Sequence, residues 1–318
     1  MSGERADAGR DTEAAEDDGL YGPGSVAWKV IGHPAAIIGG MRALMVQALE
    51  PHAMAGVFSY SDFTARPLDR LRRTMQYVGT MTFGSTAEAE AAAALVRRVH
   101  ESVRGIDPVT QTPFSATDPD TLVWVHVAEY HSYVAAYEAY AGSLDPDEVD
   151  AYFRSTARAV ELLGAPTSMV PQTRAEVSEY FATMRPRLCL SEQARRTIDF
   201  VRFPPLSREM MPTSVPIRMA SAAAVAILPG YVRELIGVNR PRLIDAPTRA
   251  SALIGVQALA TGLRLTIGRD GHHERARSRV RERTRAGRGF RPHAVAHGHV
   301  DASDMASVGP PRPVRRPE

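Results

Sequence analysis

Residues 118–164, DPDTLVWVHVAEYHSYVAAYEAYAGSLDPDEVDAYFRSTARAVELLG, read as two helices written one after the other. Asp118 and Asp145 each precede a proline. Proline at the first helical position has its φ already set, and the aspartate side chain takes up free N–H groups. Gly142 and Gly164 stop the two segments, because glycine accepts the backbone turn that ends a helix. The same punctuation extends outward along the chain. Ser85-Thr86-Ala87-Glu88 is a capping box, and the alanine-rich helix that it opens is read as running to Arg104, before Gly105. Thr173-Arg174-Ala175-Glu176 is a second box, with its helix leading to Pro186. Residues 191–202, 216–228 and 250–267 form three more helical segments. No β-alternating run of useful length and no fixed-period repeat is visible. The fold class is all-α, with one helical domain expected over residues 19–268.

Composition limits what this domain can be. The chain has 318 residues, 44% hydrophobic and 23% charged, which is ordinary globular usage with enough material for a sizeable core. Its net charge of +2 is unevenly spread. Residues 1–18 carry seven acids against two arginines and are read as a disordered acidic leader. Residues 269–318 carry twelve arginines against six acids, and arginine alternates with other residues from 275 to 285. Such alternation does not make one helical face, so this Arg-rich tail is expected to be disordered, and both tails to be dispensable. Lys29 is the only lysine, so the arginine surplus is read as coding bias. Cys189 is the only cysteine, which excludes an intrachain disulfide and any thiolate metal cluster. The N-terminus lacks an apolar core of the kind a secretory signal needs. The longest uncharged apolar stretch, Met219 to Val232, contains Pro229-Gly230 and is too short to cross a bilayer. The expected location is cytoplasmic, with no membrane span.

Three places carry residues suited to chemistry. On a helix, Arg70, Arg73 and Thr74 stand at i, i+3 and i+4, placing two cations and a hydroxyl on one face. They suit an anion, a propionate or bound oxygen, or are simply a solvated basic face. His100 is flanked by Val96, Val99 and Val103, with Arg97 and Arg104 three residues before and four after. Nitrogen for iron and guanidinium for propionate are what a haem's proximal side uses; the bland reading is a partly buried structural histidine. In the next helix His126, Tyr130, Tyr133 and Tyr137 form an aromatic stripe. Its ordinary role is core packing, with His126 as a hydrogen-bonding partner or a support to a ligand. His293, His297 and His299 have ligand-like spacing in the tail without an acidic partner.

Several phrases taken in order resemble the MpaB-type oxygenase family, the catalytic domain shared with latex-clearing rubber oxygenases. They are Gly40-Met-Arg-Ala-Leu44 with Gln47, Ser61-Asp-Phe63, Arg70-Leu-Arg-Arg-Thr74 with Phe83-Gly84, His100-Glu-Ser-Val-Arg-Gly105, Asp118-Pro-Asp-Thr-Leu122, Trp124-Val-His126, Leu162-Leu-Gly164 and Pro171. The resemblance covers about 25 to 240. It implies an all-α fold enclosing a pocket for non-covalent haem b, with O2 as co-substrate and His100 as the proximal iron ligand. His126 is the competing axial candidate. Arg70 and Thr74 match the arginine and threonine beside the distal pocket. Arg73 stands where the rubber oxygenases carry a lysine that can ligate iron. Arginine stays protonated and cannot ligate, so the sixth position is expected to be open or to hold water. A second departure is Leu49-Glu50-Pro51-His52, where many relatives have histidine before proline. Glu50 falls near the region of the rubber oxygenases' catalytic glutamate, but that equivalence is not adopted.

The resemblance implies an oxidoreductase acting on an apolar small molecule, a terpenoid, lipid or polyketide with a C=C bond. The alternative is a non-catalytic all-α haem- or lipid-binding protein of the same fold. A third reading, a nucleic-acid binder acting through 269–291, has a single aromatic (Phe290) and no recognised motif behind it. No nucleic-acid partner is expected.

Overall fold

The computed structural model of the protein describes residues 17–60, 67–204, 214–238, 241–267, 271–287 and 290. The helices begin where the capping residues place them. In chain order they are α1 (Val26–Ile31), α2 (Ala36–Gln47), α3 (Pro51–Tyr60), α4 (Pro67–Phe83) and α5 (Thr86–His100). A short antiparallel pair follows, β1 (Arg104–Ile106) and β2 (Pro113–Ser115), in the register Gly105 opposite Phe114. Then come α6 (Pro119–Tyr140), α7 (Pro146–Glu161), α8 (Arg174–Met184), α9 (Glu192–Arg202), α10 (Ser214–Ala226), α11 (Gly230–Leu235), α12 (Ala246–Ile267) and α13 (Gly271–Arg285). Ser85 accepts from the Glu88 N–H while Glu88 returns a bond to the Ser85 N–H, a complete capping box. Asp118 and Asp145 cap α6 and α7, each with proline in the first turn. The all-α expectation holds. No described helix is long and apolar enough to cross a membrane.

The axis of the domain is α6, whose buried residues fall on every side of the helix. It packs along α2, and Gly39 is what lets the two backbones approach. A Cβ at Gly39 would lie 2.9 Å from the Tyr133 ring and 3.0 Å from the Ser132 carbonyl oxygen. Two reciprocal bonds bolt the pair at one end: Gln47 Nε2 donates to the Val125 carbonyl (2.8 Å) and Trp124 Nε1 to the Gln47 carbonyl (3.2 Å). At the other end Tyr140 Oη donates to the Ala223 carbonyl of α10, and Gln257 of α12 donates to the carbonyls of Tyr140 and Ala141. Those last bonds satisfy carbonyls that the end of α6 leaves open. Trp28, Trp124, Tyr140, Tyr152, Met45 and Leu228 are fully buried around this frame.

Two sequence expectations need correction, at the end of α5 and in the Arg-rich tail, and a short hairpin is added to the helices. α5 ends at His100 rather than Arg104, because Val103 leaves the helix to pack with Ala55 and Phe114 in a small satellite cluster. The hairpin that follows has strands of three residues, too short to carry an alternating signal. The Arg-rich tail is not disordered over 271–285, where it forms α13. His273, Ala276, Arg277, Val280 and Arg281 repeat at helical spacing, and Arg277 is buried with its guanidinium 6.0 Å from the Trp28 ring. His273 packs against Trp28 and Phe83, and Arg277 reaches the Asp17 carbonyl and the Asp18 carboxylate. This docking also ties Asp17 and Asp18, the last residues of the acidic leader, to the domain. The leader's residues 1–16 and the tail beyond 290 lie outside the described residues.

Candidate functional site

The two-residue connection Gly84-Ser85 folds α5 back along α4, and the helices pack against each other. The sequence-predicted residues Arg70, Arg73 and Thr74 are carried by α4, and His100 ends α5. Arg70 belongs to α4, but its side chain lies outside the described residues. Arg73 is half-buried and Thr74 exposed, and helical spacing puts both on Arg70's face. His100 is half-buried. Its Nδ1 is buried and has no hydrogen-bond partner, and burial pushes its pKa down, so the imidazole is neutral near pH 7. Val96 and Val99 beside it are half-buried, while Arg97 and Arg104 are exposed.

His126 lies inside the core. It is 7% exposed in α6, its ring 4.3 Å from that of Tyr130, and burial lowers its pKa to about 3. The aromatic stripe is core packing, as its ordinary reading holds: Tyr130 and Tyr133 are buried and meet edge to face.

Sequence reasoning passed over the polar groups that share this core. Glu129, three residues beyond His126, is held by Tyr133 Oη, which donates to Oε1 at 2.8 Å. Burial raises the Glu129 pKa, partly offset by that bond. Tyr21 and Tyr130 hydroxyls pair at 3.2 Å. Tyr77, on α4 at the position that continues the Arg70, Arg73 and Thr74 face, has its hydroxyl buried without a partner. Burial pushes its pKa up, and Glu129 and Tyr21 add to the rise. Tyr77 thus sets an unpartnered buried hydroxyl within electrostatic reach of Glu129. The signal was available, since Glu129 stands one turn from His126 on the same stripe. Strongly shifted groups that gather in one place mark candidate functional sites.

A proximal haem side needs a neutral nitrogen donor, apolar neighbours and cations for the propionates. His100 with its unpaired, buried ring nitrogen, Val96, Val99 and Arg97 suits that chemistry, whereas Arg104 stands on β1 beyond the end of α5 and so leaves the helical spacing that the sequence predicts for it. Glu50 is placed as a capping carboxylate. It is buried at the start of α3, accepting from the Ala53 N–H at 2.7 Å, a helix cap. His293, His297 and His299 lie outside the described residues, and no metal-binding group of His, Cys, Asp or Glu occurs among the described residues.

Comparison with known proteins gave no match among curated proteins and none among solved structures. A family model does match, over residues 28–265, from α1 to the last turn of α12, and its description is the ER-bound oxygenase mpaB/B'/Rubber oxygenase, catalytic domain. The match takes in both helices of the α4–α5 hairpin and all of α6, so the chain belongs to the MpaB/rubber oxygenase catalytic-domain family.

Proposed function

We propose that this oxygenase-family chain is a haem b-dependent oxygenase that cleaves or oxygenates a C=C bond in an apolar terpenoid, lipid or polyketide. The observation that carries the reading is His100: a neutral imidazole with a buried, unpaired ring nitrogen at the end of α5. Haem b, when bound, supplies the redox-active iron at which O2 reacts. His100 would hold the iron, Arg97 and Arg104 would meet the propionates, and Arg73 would add a fixed positive charge that cannot ligate. Arg70 and Thr74 present hydrogen-bond donors from the face of α4, where preorganised donors act on developing negative charge. Tyr133 Oη donates to Glu129 Oε1, and Tyr77 holds an unpartnered buried hydroxyl on α4.

The test is O2 uptake by haem-loaded protein with a reductant and a panel of unsaturated apolar compounds, squalene, linoleate and a linear polyene among them. Uptake that needs one of these and falls in Arg70→Ala supports the proposal. Haem retention with no uptake from any of them favours the non-catalytic binding protein.

A further inference from the structure

The surface of the domain changes character along the chain. Residues 19–202 carry twenty acids against seventeen basic residues, whereas residues 203–285 carry six acids against fourteen arginines. Coding bias sets arginine over lysine everywhere, but it does not thin out the acids. The same part of the chain exposes apolar side chains. Nine of the fourteen large hydrophobic residues exposed among the described residues lie from Phe203 to Leu265. Scattered singly they would mean little, but a contiguous group marks a contact surface.

Contiguity follows from the packing. α12 lies against α10 and against the single helical turn Arg242–Asp245 that leads into it. The inner side of α12 is fixed by buried Ala252 and Ala260 and by Gln257, which bonds the end of α6. Ile254 and Leu265 stand on the opposite side of the helix, 70% and 83% exposed. Leu243 and Ile244 of the preceding turn are exposed as well. From Ala250 to Leu263 α12 carries no charged residue. On α10, Val215, Arg218 and Met219 are exposed at i, i+3 and i+4, one face with a cation between two apolar side chains. Arg249 and Leu253 repeat that pairing on α12 at i and i+4. The one acid of these three elements, Asp245, is buried and spent on Arg233 at 2.7 Å. α13, packed beside α12, exposes Arg275, Arg279, Arg283 and Arg285 against Glu274 and Glu282.

We infer that the outer face of α10 and α12, with the turn before α12, docks on an anionic lipid surface. Its aliphatic side chains enter the headgroup boundary and its arginines meet the lipid phosphates and carboxylates. No described helix is long and apolar enough to cross a membrane, so this face lies on the bilayer. A second copy fits less well, because a symmetric contact sets Arg218 and Arg249 near their own equivalents with no acid between them. No candidate site residue lies on α10, α12 or α13, so this surface is independent of the haem reading.

The test is co-sedimentation of the full chain with vesicles of phosphatidylcholine, alone or with about one-third phosphatidylserine. Binding is expected to the anionic vesicles and should fall with added salt. Ile254→Ser combined with Leu265→Ser should weaken it at least about tenfold. Its circular dichroism spectrum and urea midpoint should be unchanged, since both side chains are already exposed in the fold. Arg218→Gln and Arg249→Gln should each weaken binding to the anionic vesicles about fivefold. In Leu265→Trp, anionic vesicles should shift the new indole's emission to the blue, and brominated acyl chains should quench it. Absence of binding to either kind of vesicle would overturn the inference. So would binding untouched by the paired serine variant, which would assign the attraction to charge alone. A dimer in sedimentation equilibrium that the serine variant dissociates, without vesicle binding, would give the face to a second copy. Each of these failures would leave the haem reading standing.

Discussion

The α4–α5 hairpin and the α2–α6 pair place their polar residues in opposite ways. In the hairpin the residues picked from sequence are exposed or half-buried: Arg73, Thr74, Arg97 and His100. In the α2–α6 pair the polar groups are inside: Arg42, His126 and Ser132 are buried, and Glu129 is held by the buried Tyr133. A polar side chain near water costs the fold little, whereas one inside must be satisfied or it opposes folding. The hairpin is thus free to serve a ligand, and the α2–α6 pair is the frame that holds it. Changes in the first should alter function with little loss of stability, and changes in the second should do the reverse.

The largest effect should come from the hairpin. Arg70→Ala and Thr74→Ala are each expected to lower substrate-dependent O2 uptake on the order of a hundredfold. Haem content should be unchanged, and the urea midpoint should move by no more than about 0.5 kcal/mol equivalent. A collapse of stability instead would erase the contrast between the two regions. In the frame, Gly39→Ala inserts a methyl where 2.9 Å separates it from Tyr133, and urea unfolding should show a loss of about 1–3 kcal/mol. Retention of full stability would show that α2 and α6 do not need that close approach.

The buried histidines set the pH response of the frame. The His126 pKa falls from 6.5 to about 3, and that of His131 falls well below 6.5, both through burial first. Between those values the unfolded chain binds more protons than the folded one. Stability is therefore complete above about pH 6.5 and declines as pH falls toward the folded values, by up to about 1.4 kcal/mol per pH unit for each histidine. Glu129, with its pKa raised from 4.5, works in the opposite sense: the folded chain holds the extra proton, so its contribution is lost as pH rises. Two histidines against one carboxyl leave a net loss on acidification from pH 6.5 to 5, measurable by urea titration of the haem-free protein. His126→Gln should flatten that slope. The smallest expected effect is Gly40→Ala. No atom lies within 4 Å of a Cβ there, so the helix should gain about 0.5–1 kcal/mol, against the loss at its neighbour.

What was legible in the sequence follows the same division. The starts of α5, α6, α7 and α8 were written in Ser85, Asp118, Asp145 and Thr173, because capping is local chemistry. α13 was missed because the eye follows the alternating arginines, while the residues that dock it, His273, Ala276, Arg277 and Val280, recur at three and four. Arg277 is buried there only because Asp17, Asp18 and Trp28 come to meet it, and such long-range partners are not written locally. The candidate residues of α4 and α5 are read from the resemblance and from helical spacing. Arg42 and Glu129 were passed over, although each interrupts an apolar helix, the plainest local sign of a buried polar group.

The most direct measurement is the absorption spectrum and iron content of the purified protein, taken beside His100→Ala and His126→Ala. The account predicts a Soret band with near-stoichiometric iron in the wild type, its loss in His100→Ala with helical content preserved, and its retention in His126→Ala. A wild-type spectrum without a Soret band after haem reconstitution, or one kept in His100→Ala and lost in His126→Ala, would contradict it.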